Sequence, residues 1–185
     1  MNWFFDNDLN VSNENANSEA GLAWREWVGE NIGRFLLYAR QQVHHSLDAE
    51  DIVQEALSEL WRRNPGRIPE LPHVYTTIRT RAIDLIRSRR RRVQREEFGE
   101  GIHGGEEPEG VFDGVQGGMI LSERHKELAA ALKTLSDKES EVVVLNVWSG
   151  MSFAEIAEVT ECSKSTVASR YRYALEKLRK LMEHF

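Results

Sequence analysis

One cysteine, Cys162, and four prolines are all that this chain of 185 residues holds of either type. A lone thiol excludes an internal disulfide framework and any zinc site built from several cysteines. No apolar run approaches the roughly 20 residues that a bilayer span requires. The first ten residues carry no basic side chain, so a secretory signal is not expected and a cytoplasmic location is. Strand-like alternation is almost absent. No P-loop or dinucleotide-type phosphate loop, set between a strand and a helix, and no Gly-x-Ser-x-Gly elbow occurs. His44, His45, Asp48, Glu50, Asp51 and Glu55 cluster in sequence, but adjacent histidines on a helix point about 100° apart. The Glu-x-x-His spacing of helical di-metal sites is missing there as well. The expectation is no catalytic residue, no metal and no cofactor, hence not an enzyme.

What is present is charge, and it is segregated. The net charge of −6 conceals a segment, residues 61–95, with eleven arginines against Glu70 and Asp84. Residues 1–60 and 96–127 are strongly acidic, and residues 162–182 form a second basic stretch. Such a molecule is dipolar, with two separate basic faces suited to nucleic acid despite the acidic total.

Eight of the 13 glycines lie between Gly99 and Gly118 among acidic residues, with no helical or strand period. A flexible acidic linker over residues 96–121 is therefore expected. It separates an N-terminal unit (21–95) from a C-terminal unit (122–185), with residues 1–20 an Asn- and Asp-rich disordered tail. Apolar residues recur at helical spacing in three N-terminal stripes. The first is Ile32, Phe35, Leu36, Ala39 and Val43; the second is Ile52, Val53, Ala56, Leu57, Leu60 and Trp61, with Asp48 as N-cap. The third, after a proline-marked break, is Val74, Ile78, Ala82, Leu85 and Ile86. A C-terminal stripe runs through Val167, Tyr171, Ala174, Leu175, Leu178, Leu181 and Met182. The fold class is all-α, with two small helical domains.

Residues 152–180 carry a helix-turn-helix pattern. Ser136 with Glu139 and Ser152 with Glu155 match the capping-box spacing. Ser152 opens a short helix with Ala157 at an inward position, a turn follows at 160–162, and Ser163 caps a second helix. Cys162 sits where the turn needs a small buried residue, a structural role. Ser163, Lys164, Ser165, Thr166, Ser169, Arg170 and Arg172 form the candidate DNA face, with hydroxyls for base edges and phosphates and cations for the backbone. Arg79, Arg81, Arg87 and Arg89–Arg92 with Arg95 lie on or just beyond the third stripe, with Tyr75, Thr76, Thr77 and Thr80 at its start, a candidate nucleic-acid contact. An aromatic beside a cationic run suits stacking on an unpaired base. The loop 62–73, opened by Arg62 and Arg63 and stiffened by Pro65, Pro69 and Pro72, would shape a pocket beside that helix.

Taken together, the two units resemble an extracytoplasmic-function sigma factor, the two-domain form of the bacterial sigma-70 family. Ala49-Glu50-Asp51-Ile52-Val53-Gln54-Glu55-Ala56 matches the signature helix that grips core RNA polymerase. Ala82-Ile83-Asp84, then Ile86-Arg87 and the arginine run, matches the helix that reads and melts the minus-ten element. From Leu135 onward, Glu141, Leu145, Ser152, Glu155-Ile156-Ala157-Glu158, Ser163, Thr166-Val167 and Ser169-Arg170 match the minus-thirty-five reader. The chain departs from the family pattern at His73-Val74, at Thr80, at Glu161 in place of a turn glycine, and at Ala168.

The resemblance implies a region 2-like helical domain and a region 4-like helix-turn-helix domain that direct promoter recognition, DNA melting and transcription initiation. Asp51, Gln54, Glu55 and Ser58 would bind core polymerase. Arg62, Arg63, Tyr75, Thr76, Arg79, Thr80, Arg87, Arg90 and Arg91 would hold the minus-ten strand. The Ser163-capped helix would read the minus-thirty-five element. Implied partners are core RNA polymerase (its beta' clamp helices and beta flap), promoter DNA and an anti-sigma factor, with no membrane contact and a nucleoid-associated place in a bacterial cytoplasm. Away from polymerase, the basic faces would be covered by acidic segments or by that inhibitor. The alternative is a stand-alone helix-turn-helix regulator binding duplex DNA without polymerase.

Overall fold

A computed structural model describes residues 19–43, 45–96 and 134–182. The expected linker, apart from Glu96, and the expected tail, apart from Glu19 and Ala20, lie outside the described residues. Three long helices come first: α1 (Glu19–Val43), α2 (Ser46–Arg63) and α3 (Leu71–Glu96). Then come α4 (Asp137–Val143), a π-helical turn (Val144–Trp148), α5 (Phe153–Thr160) and α6 (Lys164–Met182). No strand occurs among the described residues. The all-α class follows from the 3.6-residue spacing of the apolar stripes.

The α2 stripe is buried throughout: Ile52, Val53, Ala56, Leu57, Leu60 and Trp61. Asp48 is not its N-cap, a correction to the sequence reading. His45 holds the extended capping conformation (φ −137°, ψ 129°) and the helix starts at Ser46. Asp48 instead lies in the first turn, where its charge complements the helix dipole and its carboxylate takes both terminal nitrogens of Arg89 at 2.5 and 2.6 Å. In α3, Val74, Ile78 and Ala82 are buried, Leu85 is half-buried and Ile86 is exposed. The apolar stripe ends there because the described residues from Ile86 to Arg92 all stand in solvent. Leu175 of α6 is exposed too, while Val167, Ala174 and Leu178 are buried.

Aromatic side chains tie the three long helices together. Ring centroids run from Trp61 to Trp24 at 5.2 Å, to Trp27 at 5.4 Å, to Phe35 at 5.7 Å, to Tyr75 at 5.4 Å and to Tyr38 at 5.1 Å. The last two contacts are edge-on, the geometry favoured by ring quadrupoles.

The C-terminal helices start as their sequence predicts. Glu139 accepts from the backbone N–H and the hydroxyl of Ser136, both at 2.9 Å. Ser152 and Glu155 cap reciprocally, at 2.8 and 3.3 Å. The π-helical turn bonds the Ser149 N–H to the Val144 carbonyl at 3.3 Å and ends at Gly150, whose φ of +68° suits a glycine. The α5–α6 turn passes through Glu161 at φ 53°, ψ 39°, the left-handed region. The units separated in sequence are in contact: α4 and the π-helical turn pack on α1, and α5 packs on α3.

Candidate nucleic-acid interface

The apolar side of α2 faces the core and its acidic side faces outward. Asp51 and Glu55 are exposed, and Gln54 and Ser58 half-exposed. They do not stand alone: Arg81 of α3 reaches across to pair with Glu55 and with Glu59, and Arg63 pairs with Glu59. The Arg81 hydrogen bond is the main reason the Glu59 carboxyl sits below its ordinary range, burial opposing it. Asp48, Asp51, Glu55, Arg81 and Asp84 line one open cleft between α2 and α3. Arg81 is a residue that sequence reasoning did not place at this face. Nothing local in sequence signals a contact between residues 26 positions apart.

On α3 the expected strand-binding residues divide into three groups. Thr76, Thr80, Arg87, Arg90 and Arg91 are exposed, as are Arg62 and Arg63 at the end of α2. Tyr75 is buried, at 1% exposure, edge-on to Phe35 and Tyr38. Burial pushes its hydroxyl pKa up, while neighbouring Ser149 and Arg34 pull the other way. Arg79 is half-buried and its Nε donates to Glu141 at 3.1 Å. The Thr80 hydroxyl donates to the Thr76 carbonyl at 2.9 Å, within its own helix. Between α2 and α3, Asn64, Arg67, Ile68, Glu70 and His73 line a second open cleft. Gly66 shapes that loop at φ +78°. A Cβ there would stand 2.9 Å from the Ala20 side chain, so the loop packs against the start of α1.

The Ser163 hydroxyl accepts from the Thr166 backbone N–H at 3.1 Å and so caps α6, with the Ser165 and Thr166 hydroxyls at 2.9 and 2.7 Å from it. Lys164, Ser165 and Arg172 are exposed, and Thr166, Ser169 and Arg170 half-exposed. Arg170 donates to the Cys162 sulfur at 3.1 Å, and Cys162 packs against the core. Arg172 lies over the Tyr173 ring, 5.3 Å from its centroid. These residues make a continuous polar and cationic face along α6. Among the described residues, no group of three or more histidine, cysteine or acidic side chains is placed to hold a metal ion.

The least expected cluster joins the two units. Glu141 is 6% exposed, and its Oε1 accepts from the Tyr38 hydroxyl at 2.9 Å, Gln42 Nε2 at 3.1 Å and Arg79 Nε at 3.1 Å. Gln41 Nε2 donates to the Asp137 carbonyl at 3.0 Å. Burial, then the charge of Glu141, pushes the Tyr38 phenol well above its ordinary pKa. A carboxylate this deep needs such donors, since an unpaired buried charge is costly.

Comparison with known proteins places this geometry. A family model described as Sigma-70 region 2 matches residues 27–92, and one described as Sigma-70, region 4 matches residues 125–178. The chain is 25% identical over 138 residues to the ECF RNA polymerase sigma factor SigK of Mycolicibacterium vanbaalenii, covering 72% of this chain and 68% of that protein. It is 25% identical over 139 residues to SigK of Mycobacterium tuberculosis, covering 73% and 72%. Two solved structures share the fold. Sigma factor RpoE of Bartonella quintana, in complex with the anti-sigma factor NepR, gives a TM-score of 0.64 at 21% identity, over 87% of this chain and 97% of that one. CnrH in complex with the cytosolic domain of CnrY gives 0.55 at 21% identity, over 92% and 94%. With an acidic-faced helix, an arginine-rich helix and a capped helix-turn-helix in the order these matches require, the chain belongs to the sigma-70 family as an extracytoplasmic-function RNA polymerase sigma factor.

Proposed function

We propose a division of labour among named residues. Asp51, Gln54, Glu55 and Ser58 dock on core RNA polymerase, at its beta' clamp helices, with Glu55 exchanging Arg81 for a basic polymerase side chain. Thr76, Thr80, Arg87, Arg90 and Arg91, with Arg62, Arg63, Tyr75 and Arg79, hold the unpaired minus-ten strand, and the cleft beside His73 receives a flipped base. Unstacking a base costs a few kcal/mol, which phosphate and stacking contacts offset once polymerase fixes both units. Ser163, Lys164, Ser165, Thr166, Ser169, Arg170 and Arg172 meet the minus-thirty-five element in the major groove, while the C-terminal unit contacts the beta flap. The function is binding rather than catalysis, exercised in a bacterial cytoplasm at the nucleoid. An anti-sigma factor is a further partner, because the structural neighbour RpoE is named in complex with one.

The observation that carries this reading is the α2 helix, whose apolar stripe from Ile52 to Trp61 is buried while Asp51 and Glu55 stand in solvent. Co-purification with core polymerase tests it, wild type against the combined Asp51→Ala, Gln54→Ala and Glu55→Ala variant. Stoichiometric capture by the wild type and its loss in the variant are expected. A folded wild-type chain that captures no polymerase would instead favour the stand-alone duplex-binding regulator.

A further inference from the structure

Three aromatic residues near the start of the chain, Trp3, Phe4 and Phe5, have no part in the contacts proposed above. Asp6 and Asp8 follow them, and residues 1–18 contain no lysine or arginine. Large rings in an otherwise Asn- and Ser-rich segment gain by leaving water. The fold offers a surface where that segment joins it. In the first turn of α1, the Ala20 side chain lies 2.9 Å from where a Cβ on Gly66 would stand. The chain therefore enters α1 beside the loop that forms the cleft near His73. Leu60, Pro69 and Ile68, the last 44% exposed, give that cleft its apolar lining. Its volume of about 220 Å³ is too small for a drug-sized molecule and suits a single ring. Asn64 and Glu70, also in its lining, can accept from an indole N–H, and of the three aromatics Trp3 alone has such a donor. Arg67 lines the cleft too, and Arg62 and Arg63 stand exposed at the adjoining end of α2, opposite in charge to Asp6 and Asp8. Thirteen residues separate Phe5 from Glu19. A polar chain of that length spans roughly 20 Å, enough to reach the cleft and hold a ring there at millimolar effective concentration.

We propose that this cleft between α2 and α3 is the docking site of the chain's own N-terminal segment. The Trp3 ring enters against Leu60, Ile68 and Pro69, with Asp6 and Asp8 facing Arg62, Arg63 and Arg67. The segment and an unpaired base then compete for one cleft. The competition rests on the role proposed above for that cleft, whereas the docking rests only on the lining, the tether and the charges.

The test uses the full chain with 5-fluorotryptophan at its five tryptophans, and Trp3→Ala assigns the Trp3 fluorine resonance by its loss. In the unaltered chain that resonance is expected to be displaced from the position of free fluorotryptophan. Ile68→Ser and the Asp6→Asn/Asp8→Asn pair are each expected to move it toward the free position, with helix content by circular dichroism unchanged. A Trp3 resonance at the free position in the unaltered chain overturns the docking, and so does a displaced one that neither variant moves. A displacement that vanishes on dilution also overturns it, because the cleft then takes the segment of a second copy. Affinity for a fluorescein-labelled oligothymidylate is measured in parallel. A contact of about 1 mM, at an effective concentration of a few millimolar, leaves the cleft free in about one chain in three. Combined Trp3→Ala, Phe4→Ala and Phe5→Ala, which keeps the charge, is therefore expected to tighten binding about threefold. A displaced resonance with unchanged affinity overturns the base-binding reading of the cleft and leaves the docking standing.

Discussion

At the scale of single residues, Glu161 is the one described non-glycine residue with positive φ. An L-residue in the left-handed region costs roughly 1–2 kcal/mol, partly offset in comparisons with glycine by the greater freedom of unfolded glycine. Glu161→Gly is therefore expected to stabilise the chain by about 0.5–1 kcal/mol, read as a rise in thermal midpoint. Glu161 is exposed and lies outside the α6 face, so binding of duplex DNA is expected to hold. That the turn falls there was legible in the sequence, because the helix-turn-helix spacing fixes where the turn must go, and the glycine expected at it came with the family resemblance. The surroundings of Glu141 were not. It reads as one more landmark of the C-terminal unit, and its partners Tyr38, Gln42 and Arg79 come from helices far away in the chain.

At the scale of elements, α4 is short and depends on its start. The hydrogen bond from Lys177, with help from Ser136, holds the Glu139 carboxyl below its ordinary value near 4.5 against the opposing effect of burial. A carboxyl lowered in the folded state stabilises fully above that ordinary value, and the contribution fades as pH falls through the lowered folded value. Glu139→Gln is expected to cost about 1 kcal/mol at neutral pH. It should also flatten the acid limb of a plot of thermal midpoint against pH, and a parallel acid limb would reject this account. Both capping boxes were legible because they are set by four consecutive residues. The α2 stripe was legible because every apolar position in it meets a neighbouring helix. The start of α2 was not: acidic residues suit both the cap and the first turn, and the contact with Arg89 across to α3 lies beyond local pattern. Ile86 and Leu175 repeat at helical spacing yet face solvent, since periodicity marks a face without telling how far its partner extends.

At the scale of the whole molecule, the separated blocks of charge meet. Arg63, Arg81 and Arg89 hold carboxylates of α2, and Arg79 holds Glu141 of α4. The arginine-rich helix is thus partly neutralised by its own chain before any partner arrives. That pairing bears on the thermodynamics of strand capture in salt. A cation that trades a carboxylate for a phosphate displaces the counterion of the nucleic acid, but the abandoned carboxylate gathers one of its own. The net release falls below what eleven arginines in residues 61–95 would suggest. Binding of single-stranded DNA should therefore weaken with salt less steeply than about 0.7 logarithmic units per arginine. Asp48→Asn leaves Arg89 without that carboxylate, and fluorescence titrations across a salt series are expected to show the slope steepen by about 0.7. In this sense the acidic residues of α2 act as resident counterions, which moderate how strongly the ionic strength of the surroundings governs the grip on DNA.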